Sequence, residues 1–337
     1  MKAIGFKKSL PITEQDSFIE FDTEKPTAEG HDLLVRVLAN SVNPVDYKVR
    51  SSAALDLELE IPKVIGWDAV GVVEALGDET SLFKLGEEVF YAGDLTRSGS
   101  NAEYQLVDER IVGRCPKNIT IAEAAAMPLT SLTAYEALFD RIKINPEKDK
   151  GKTVLILSGA GGVGSIAIQL AKKIGHLTVI ATSSRDDSVE WRKNMGADFV
   201  INYNNIKDGL KKAGFNEVDY ILDFVDLESY WELIADIIKP QGHIVSITES
   251  PSPLNLDILK NKSVSFSWEF MYTRSMYSTE DIVRQHEILN RIADLLDNGI
   301  IKSTLTTTLV GFNTKNIKQA HEMQESGKTI GKTVIVF

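Results

Sequence analysis

Short runs of aliphatic and β-branched residues dominate the chain up to Pro116. Leu33-Leu34-Val35-Arg36-Val37 and Ala69-Val70-Gly71-Val72-Val73-Glu74-Ala75 read as strands. Glu29-Gly30-His31, Leu76-Gly77-Asp78 and Leu85-Gly86-Glu87 read as the turns that punctuate them. No long helical period appears in this part.

Beyond Pro116 the period changes. Ile121 to Leu138 sets Ala124, Ala125, Met127, Leu132, Ala134 and Leu138 at helical spacing and predicts a helix broken once, at Pro128. Strand and helix patterns then alternate. Thr153 to Leu157, Thr178 to Ala181, Phe199 to Ile201, Tyr220 to Phe224 and His243 to Ile247 predict strands. Ser165 to Ile174, Ser188 to Met195 and Tyr230 to Ile238 predict helices. That alternation builds βαβ units and a parallel sheet. Ser263 to Trp268 predicts the last strand of the block, Thr279 to Asn298 a long amphipathic helix stopped by Gly299, and Thr333 to Val336 a closing strand.

The chain has 337 residues, 43% hydrophobic and 25% charged, which suits about two globular domains. No apolar run is long enough for a membrane span or a secretory leader, so a soluble cytoplasmic protein is expected. The net charge of -11 repels nucleic acid and anionic lipid, and no basic patch reverses it; neither is expected as a partner. Cys115 is the one cysteine, which excludes an intrachain disulfide and a cysteine-built structural zinc site. The five histidines are scattered without the i, i+4 spacing of a ligand pair.

Ser158-Gly159-Ala160-Gly161-Gly162-Val163-Gly164 follows a buried-strand run and opens a helix. Gly159, Gly161 and Gly164 satisfy G-x-G-x-x-G, with Gly162 and Val163 between them. The first glycine serves a tight turn, the second lets backbone approach a pyrophosphate, and the third lets helix pack close on strand. The helix N-terminus adds unpaired N–H groups and a positive dipole end. A site for NAD carries an acid at the end of the second strand, about 20 residues on. Here the chain reads Thr182-Ser183-Ser184-Arg185. Hydroxyls and a guanidinium in place of a carboxylate suit a 2′-phosphate, so Ser183 and Arg185 predict NADPH. Asp186 and Asp187 fall in the first turn of the next helix, where the dipole favours acids. Tyr203 follows the third strand, where an adenine would lie. Phe224, Val225, Ile247 and Thr248 follow parallel strands, at the carboxyl edge where ligands bind.

At these residues the chain resembles the medium-chain dehydrogenase/reductase superfamily, and most of all its zinc-independent quinone oxidoreductase-like branch. The resemblance spans Ser41 to Tyr47, Ile65 to Val73, Met127 to Tyr135, Ala160 to Gly164 and Gly331 to Val334. The stretch Trp268 to Met276 is similar to a bacterial subfamily labelled zinc-type alcohol dehydrogenase-like. The resemblance implies an α/β fold: a GroES-like β-barrel catalytic domain over 1–124, a doubly wound Rossmann NADP-binding domain over 125–269, and a return to the barrel over 270–337. The cofactor would lie in the cleft between the domains, and the assembly would be a homodimer through the Rossmann sheet edge. Where zinc alcohol dehydrogenases hold their metal, this chain has the Asn43–Asp46 segment and Trp67, with no second cysteine, so no metal is expected.

The resemblance further implies that Asn43 and Tyr47 line the nicotinamide and substrate pocket, that Thr133 lies near the nicotinamide, and that Phe270 and Met271 face the cleft. Amide and phenol donors there would stabilise the oxygen that becomes negative, and Tyr47 or water would supply the proton. The expected activity is hydride transfer from NADPH to quinones or α,β-unsaturated carbonyls. Zinc-type alcohol dehydrogenase activity and a non-catalytic NADPH-binding redox sensor are the alternatives.

Overall fold

The computed structural model describes every residue except Ser184, and Asp186 by its backbone alone. The Ser184 part of the strand-tip reading therefore lies outside the described residues. The chain divides into two compact units, Met1–Leu132 with Tyr272–Phe337, and Thr133–Met271. These divisions fall at 132/133 and 271/272, against the 124/125 and 269/270 expected from the sequence.

The first unit is built on antiparallel strands. β1 (Lys2–Phe6) pairs with β2 (Ile19–Asp22) and β4 (Lys63–Val64). A second sheet runs β15-β16-β3-β5-β6-β8, with β7 also on β3. Its strands are β3 (Asp32–Ser41), β5 (Asp68–Leu76), β6 (Glu88–Tyr91), β7 (Tyr104–Asp108), β8 (Val112–Arg114), β15 (Leu305–Val310) and β16 (Lys332–Val336). β3 organises this sheet. β5 covers one of its edges, while β7 takes Asp32–Arg36 and β16 takes Ala39–Ser41 on the other. Alternation along β3 buries Leu33, Val35 and Val37 in a core with Ala69, Val73, Val89, Tyr91 and Val107. Arg36 points out to Glu74, Nε to Oε1 2.8 Å.

The helices of this unit are α1 (Pro44–Ser52), α2 (Ile121–Ala125), α8 (Thr273–Met276), α9 (Arg284–Asp297) and α10 (Thr314–Glu325). α3 (Pro128–Tyr135) begins here too, and the first division falls inside it. The proline break at Pro128 is present, but the helix then widens into a π turn over Glu136–Arg141. α1 is a nine-residue helix in the part where no long helical period was read. Pro44 stands at its first turn, and the Asn43 N–H donates to Asp46 Oδ2 at 2.7 Å. It buries only Asp46 and Arg50, both polar, so it carried no apolar period to read. α9 starts later than Thr279 because Asp281 first closes a turn, accepting from Thr279 Oγ1 (2.7 Å) and Arg274 Nε (3.0 Å).

The second unit is a parallel sheet of order β11-β10-β9-β12-β13-β14. Its elements are β9 (Thr153–Leu157), α4 (Gly162–Lys173), β10 (Thr178–Ser183), α5 (Asp186–Met195), β11 (Phe199–Asn202), α6 (Ile206–Lys212), β12 (Val218–Asp223), α7 (Leu227–Ile237), β13 (Ile238–Ser246) and β14 (Ser265–Trp268). β9 is buried along its whole length, as a central strand covered on both faces requires. Leu155, Ile180, Ile221 and Ile244 meet in one core with Leu227, Trp231 and Ile234 of α7. The strand order reverses between β9 and β12, the crevice position at which doubly wound sheets bind ligands. Among the described residues no helix is long and apolar enough to cross a membrane.

His321 on α10 is fully buried against Phe18, with ring centroids 4.8 Å apart and neither ring nitrogen hydrogen-bonded. Burial, helped by Arg50, pulls its pKa down to about 3. In the unfolded chain it would protonate near 6.5. Its neutral form therefore supports the fold above pH 6.5, and that support is lost as pH falls toward 3. His321→Phe removes the effect. Urea titrations of both proteins should show wild type losing roughly 2 kcal/mol against the variant between pH 7 and 5. A gap that stays constant with pH contradicts this.

Candidate functional site

The glycine loop joins β9 to α4 at the carboxyl edge of the parallel sheet. Ser158, not Gly159, takes the left-handed backbone (φ 65°) that starts the turn. The three glycines answer to three different constraints. A Cβ on Gly159 would meet Ala181 Cβ at 3.0 Å, Arg192 Nε at 3.1 Å and Ile168 Cδ1 at 3.1 Å. A Cβ on Gly164 would fall 2.3 Å from the Ser158 carbonyl oxygen and 2.7 Å from Gly159 Cα. Gly161, the N-cap of α4, has nothing within 4 Å of such an atom. The loop is thus packed tight at its first and third glycines and open at the second, which leaves backbone and helix N-terminus accessible to a diphosphate. Gly162 and Val163 form the first turn of α4.

The tip of β10 is basic and hydroxylated. Ser183 is buried, and its hydroxyl is engaged inside the protein. It lies 2.7 Å from Ser188 Oγ and accepts from Arg192 Nη1 at 2.9 Å. This corrects the reading of Ser183 as an open donor. Arg185 is exposed at the N-cap of α5, with Nε 3.6 Å from Asp187 Oδ1. Arg192 was not singled out from the sequence. It lies on the buried stripe of α5 with Ser188 and Met195. A charged residue on an otherwise inward-facing stripe was the signal available.

Tyr203 follows β11 and is half-exposed. Phe224 and Val225 follow β12, and Ile247 and Thr248 follow β13, so the parallel strands bring them to the same edge as the glycine loop. Asp223 ties the last two tips together. Its Oδ2 accepts from Ser246 Oγ and Thr248 Oγ1, both at 2.7 Å, and its Oδ1 accepts from the Val225 N–H at 3.2 Å. The Thr248 hydroxyl is thereby turned inward. Phe270, just past β14, is half-exposed, and Thr133 on α3 is buried. Met271 is buried too.

In the first unit, Asn43 belongs to a buried polar cluster. Asp68 Oδ2 accepts from Ser41 Oγ (2.8 Å), Asn43 Nδ2 (2.8 Å) and Lys332 Nζ (3.1 Å), while its Oδ1 accepts from the Leu129 N–H (2.7 Å). Lys332 Nζ also donates to the Val42 carbonyl (2.9 Å) and to Asn43 Oδ1. Burial pushes Asp46 up to about 7 and pulls the Lys332 ammonium down, with Asp68 pulling it back up. The Asn43 amide is spent on the cluster. Tyr47 is half-buried on α1, and burial, with Glu325 adding to it, raises its phenol pKa further, so it is a neutral donor and a poor acid.

These residues do not fit a catalytic zinc. Trp67 is buried and donates from Nε1 to the Asp94 carbonyl at 3.1 Å. Asp68 is already paired with an ammonium. Burial pushes the Cys115 thiol up to about 12, away from the thiolate a metal requires. Among the described residues no three His, Cys, Asp or Glu side chains converge.

Two family models match: an alcohol dehydrogenase GroES-like domain over residues 29–130 and a zinc-binding dehydrogenase domain over 195–335. The chain is 44% identical to a zinc-type alcohol dehydrogenase-like protein of Staphylococcus epidermidis, across 99% of both chains. It is 33% identical to an NADPH-dependent alkenal/one oxidoreductase of Arabidopsis thaliana, across 70% of this chain and 60% of that one. A solved structure from Rhizobium etli CFN 42, a candidate zinc-dependent alcohol dehydrogenase, superposes with a TM-score of 0.94 at 46% identity, covering 100% of this chain and 98% of that one. The chain belongs to the medium-chain dehydrogenase/reductase superfamily. It is an oxidoreductase of that type, with a GroES-like domain and a Rossmann-like parallel sheet.

The cluster around Asp68 makes a direct prediction. Lys332→Met leaves a buried carboxylate without its cation and should cost about 3–5 kcal/mol in urea unfolding. Lys315→Met, an exposed control, should stay within about 0.5 kcal/mol of wild type. Equal effects from the two would contradict the arrangement.

Proposed function

We propose that the protein is an NADPH-dependent, metal-free reductase of α,β-unsaturated carbonyls and quinones. The observation that carries this reading is the carboxyl edge of the parallel sheet. An open Gly161 at a helix N-terminus fits a diphosphate, and the β10 tip offers Arg185 and Arg192, the latter held by Ser183, where NAD sites carry an acid. The name of the Arabidopsis relative supports the same chemistry.

When bound, the nicotinamide supplies a hydride, and a conjugated acceptor takes it at the β-carbon while negative charge develops on oxygen. The chain's own residues serve that charge. The half-buried Tyr47 phenol stays neutral and donates a hydrogen bond to the oxygen; its raised pKa makes it a stabiliser rather than the acid. The α-carbon then takes its proton from water. Asn43 acts as a positioning residue: its amide is held by Asp68 and Lys332, and its N–H anchors the first turn of the helix that carries Tyr47. Thr133, Tyr203, Phe224, Val225, Ile247, Thr248 and Phe270 complete the cofactor-side residues of this reading. β14 is an edge strand with Trp268 half-exposed, which supports a homodimer through that edge.

NADPH oxidation with a short 2-alkenal or a small quinone should proceed with kcat/KM at least about tenfold above that with NADH, and EDTA should leave it unchanged. A preference for NADH, or activity lost to chelator and restored by zinc, would overturn the proposal.

A further inference from the structure

Arg192 sits in a place that its structural contacts do not explain. It is 6% exposed, and Nη1 donates to Ser183 Oγ (2.9 Å) and to the Ser188 carbonyl (2.7 Å). Buried Nε has no acceptor. Among the described residues no carboxylate comes within ion-pair distance of the guanidinium. Burial and the neighbouring Arg185 lower its pKa to about 10, with Asp187 opposing them. A buried cation without a carboxylate is expensive, and chains normally pair it or replace it with an apolar residue. Among the described residues this chain does neither, and the charge lies at a particular spot: Nε faces the first glycine of the G-x-G-x-x-G loop, while Nη1 holds the last residue of the second strand.

We infer that Arg192 is a specificity-determining residue, an inward-held cation awaiting a phosphate on the adenosine ribose. The inference rests on the NADPH reading and names the side chain that enforces it. Ser183 then acts as a positioning residue: bonded to Ser188 and to Arg192, it fixes the guanidinium beside the glycine loop. Arg185, exposed on the same strand-to-helix turn, is the outer cation. A dianionic phosphate would supply the counter-charge that no described carboxylate brings within ion-pair distance, and would gain charge-assisted hydrogen bonds from a side chain already immobilised by packing. An unphosphorylated ribose would leave the cation uncompensated.

Calorimetric binding of two nucleotides to the full chain tests this without turnover: adenosine 2′,5′-bisphosphate and 5′-AMP. Wild type should bind the bisphosphate at least about tenfold more tightly. Arg192→Gln and Arg192→Met, the second conserving aliphatic bulk, should lose roughly tenfold or more for the bisphosphate and change little for 5′-AMP. Arg192→Lys should keep most of the preference. Thermal unfolding without ligand should leave Arg192→Met at or above wild type, since it discards an uncompensated charge. Variants that keep the wild-type preference, or that lose both nucleotides equally with reduced stability, overturn the role of Arg192 and leave the cofactor reading standing. A wild type that does not discriminate between the nucleotides overturns both.

Discussion

The ammonium of Lys332 holds together the segment on which the first unit's candidate chemistry depends. It arrives on the last strand of the chain and donates to the Val42 carbonyl, the Asn43 amide oxygen and Asp68, three groups from the turn after β3 and the start of β5. Asp68 in turn receives Ser41, Asn43 and the first turn of α3. One buried ion pair thus fixes the end of a strand, the start of α1 and the start of α3. Burying two charges is favourable only when their remaining hydrogen bonds are filled, and here nearly every one has a named partner. The same arrangement explains why a metal is out of place. The carboxylate already has its cation, and Trp67 fills a neighbouring position with an indole whose N–H is spent on a backbone carbonyl.

The parallel unit solves a different problem. Its strands end at a common edge, so residues far apart in sequence arrive together with little further design. What requires specific residues is keeping that edge open and charged. Gly161 leaves the helix start uncovered while Gly159 and Gly164 pack the loop tight. Asp223 pins the tips of β12 and β13 through Ser246 and Thr248. Arg192 brings a positive charge beneath the tip of β10. Among the described residues no carboxylate pairs with it, and its Nη1 is held by Ser183 and the Ser188 carbonyl instead.

Much of this was legible in the sequence because it rests on periodicity and backbone constraint. Alternating strands and helices gave the parallel sheet, and the glycine spacing located the phosphate loop. The rest was hidden for physical reasons. α1 buries polar rather than apolar residues, so no hydrophobic period announced it. The left-handed residue of the loop is Ser158, which no glycine pattern identifies. Asn43 looked like a free donor because its partners, Asp68 and Lys332, lie far from it in sequence. Ser183 looked open because the arginine that engages it sits two helical turns away on α5.

The central claim is that this metal-free site delivers hydride to the β-carbon of a conjugated carbonyl and not to the carbonyl carbon itself. Turnover of an enone with NADPH deuterated at the transferring position of C4, followed by NMR of the product, tests it directly. The account predicts a saturated ketone carrying deuterium at the β-carbon. An allylic alcohol with deuterium on the carbinol carbon would contradict it.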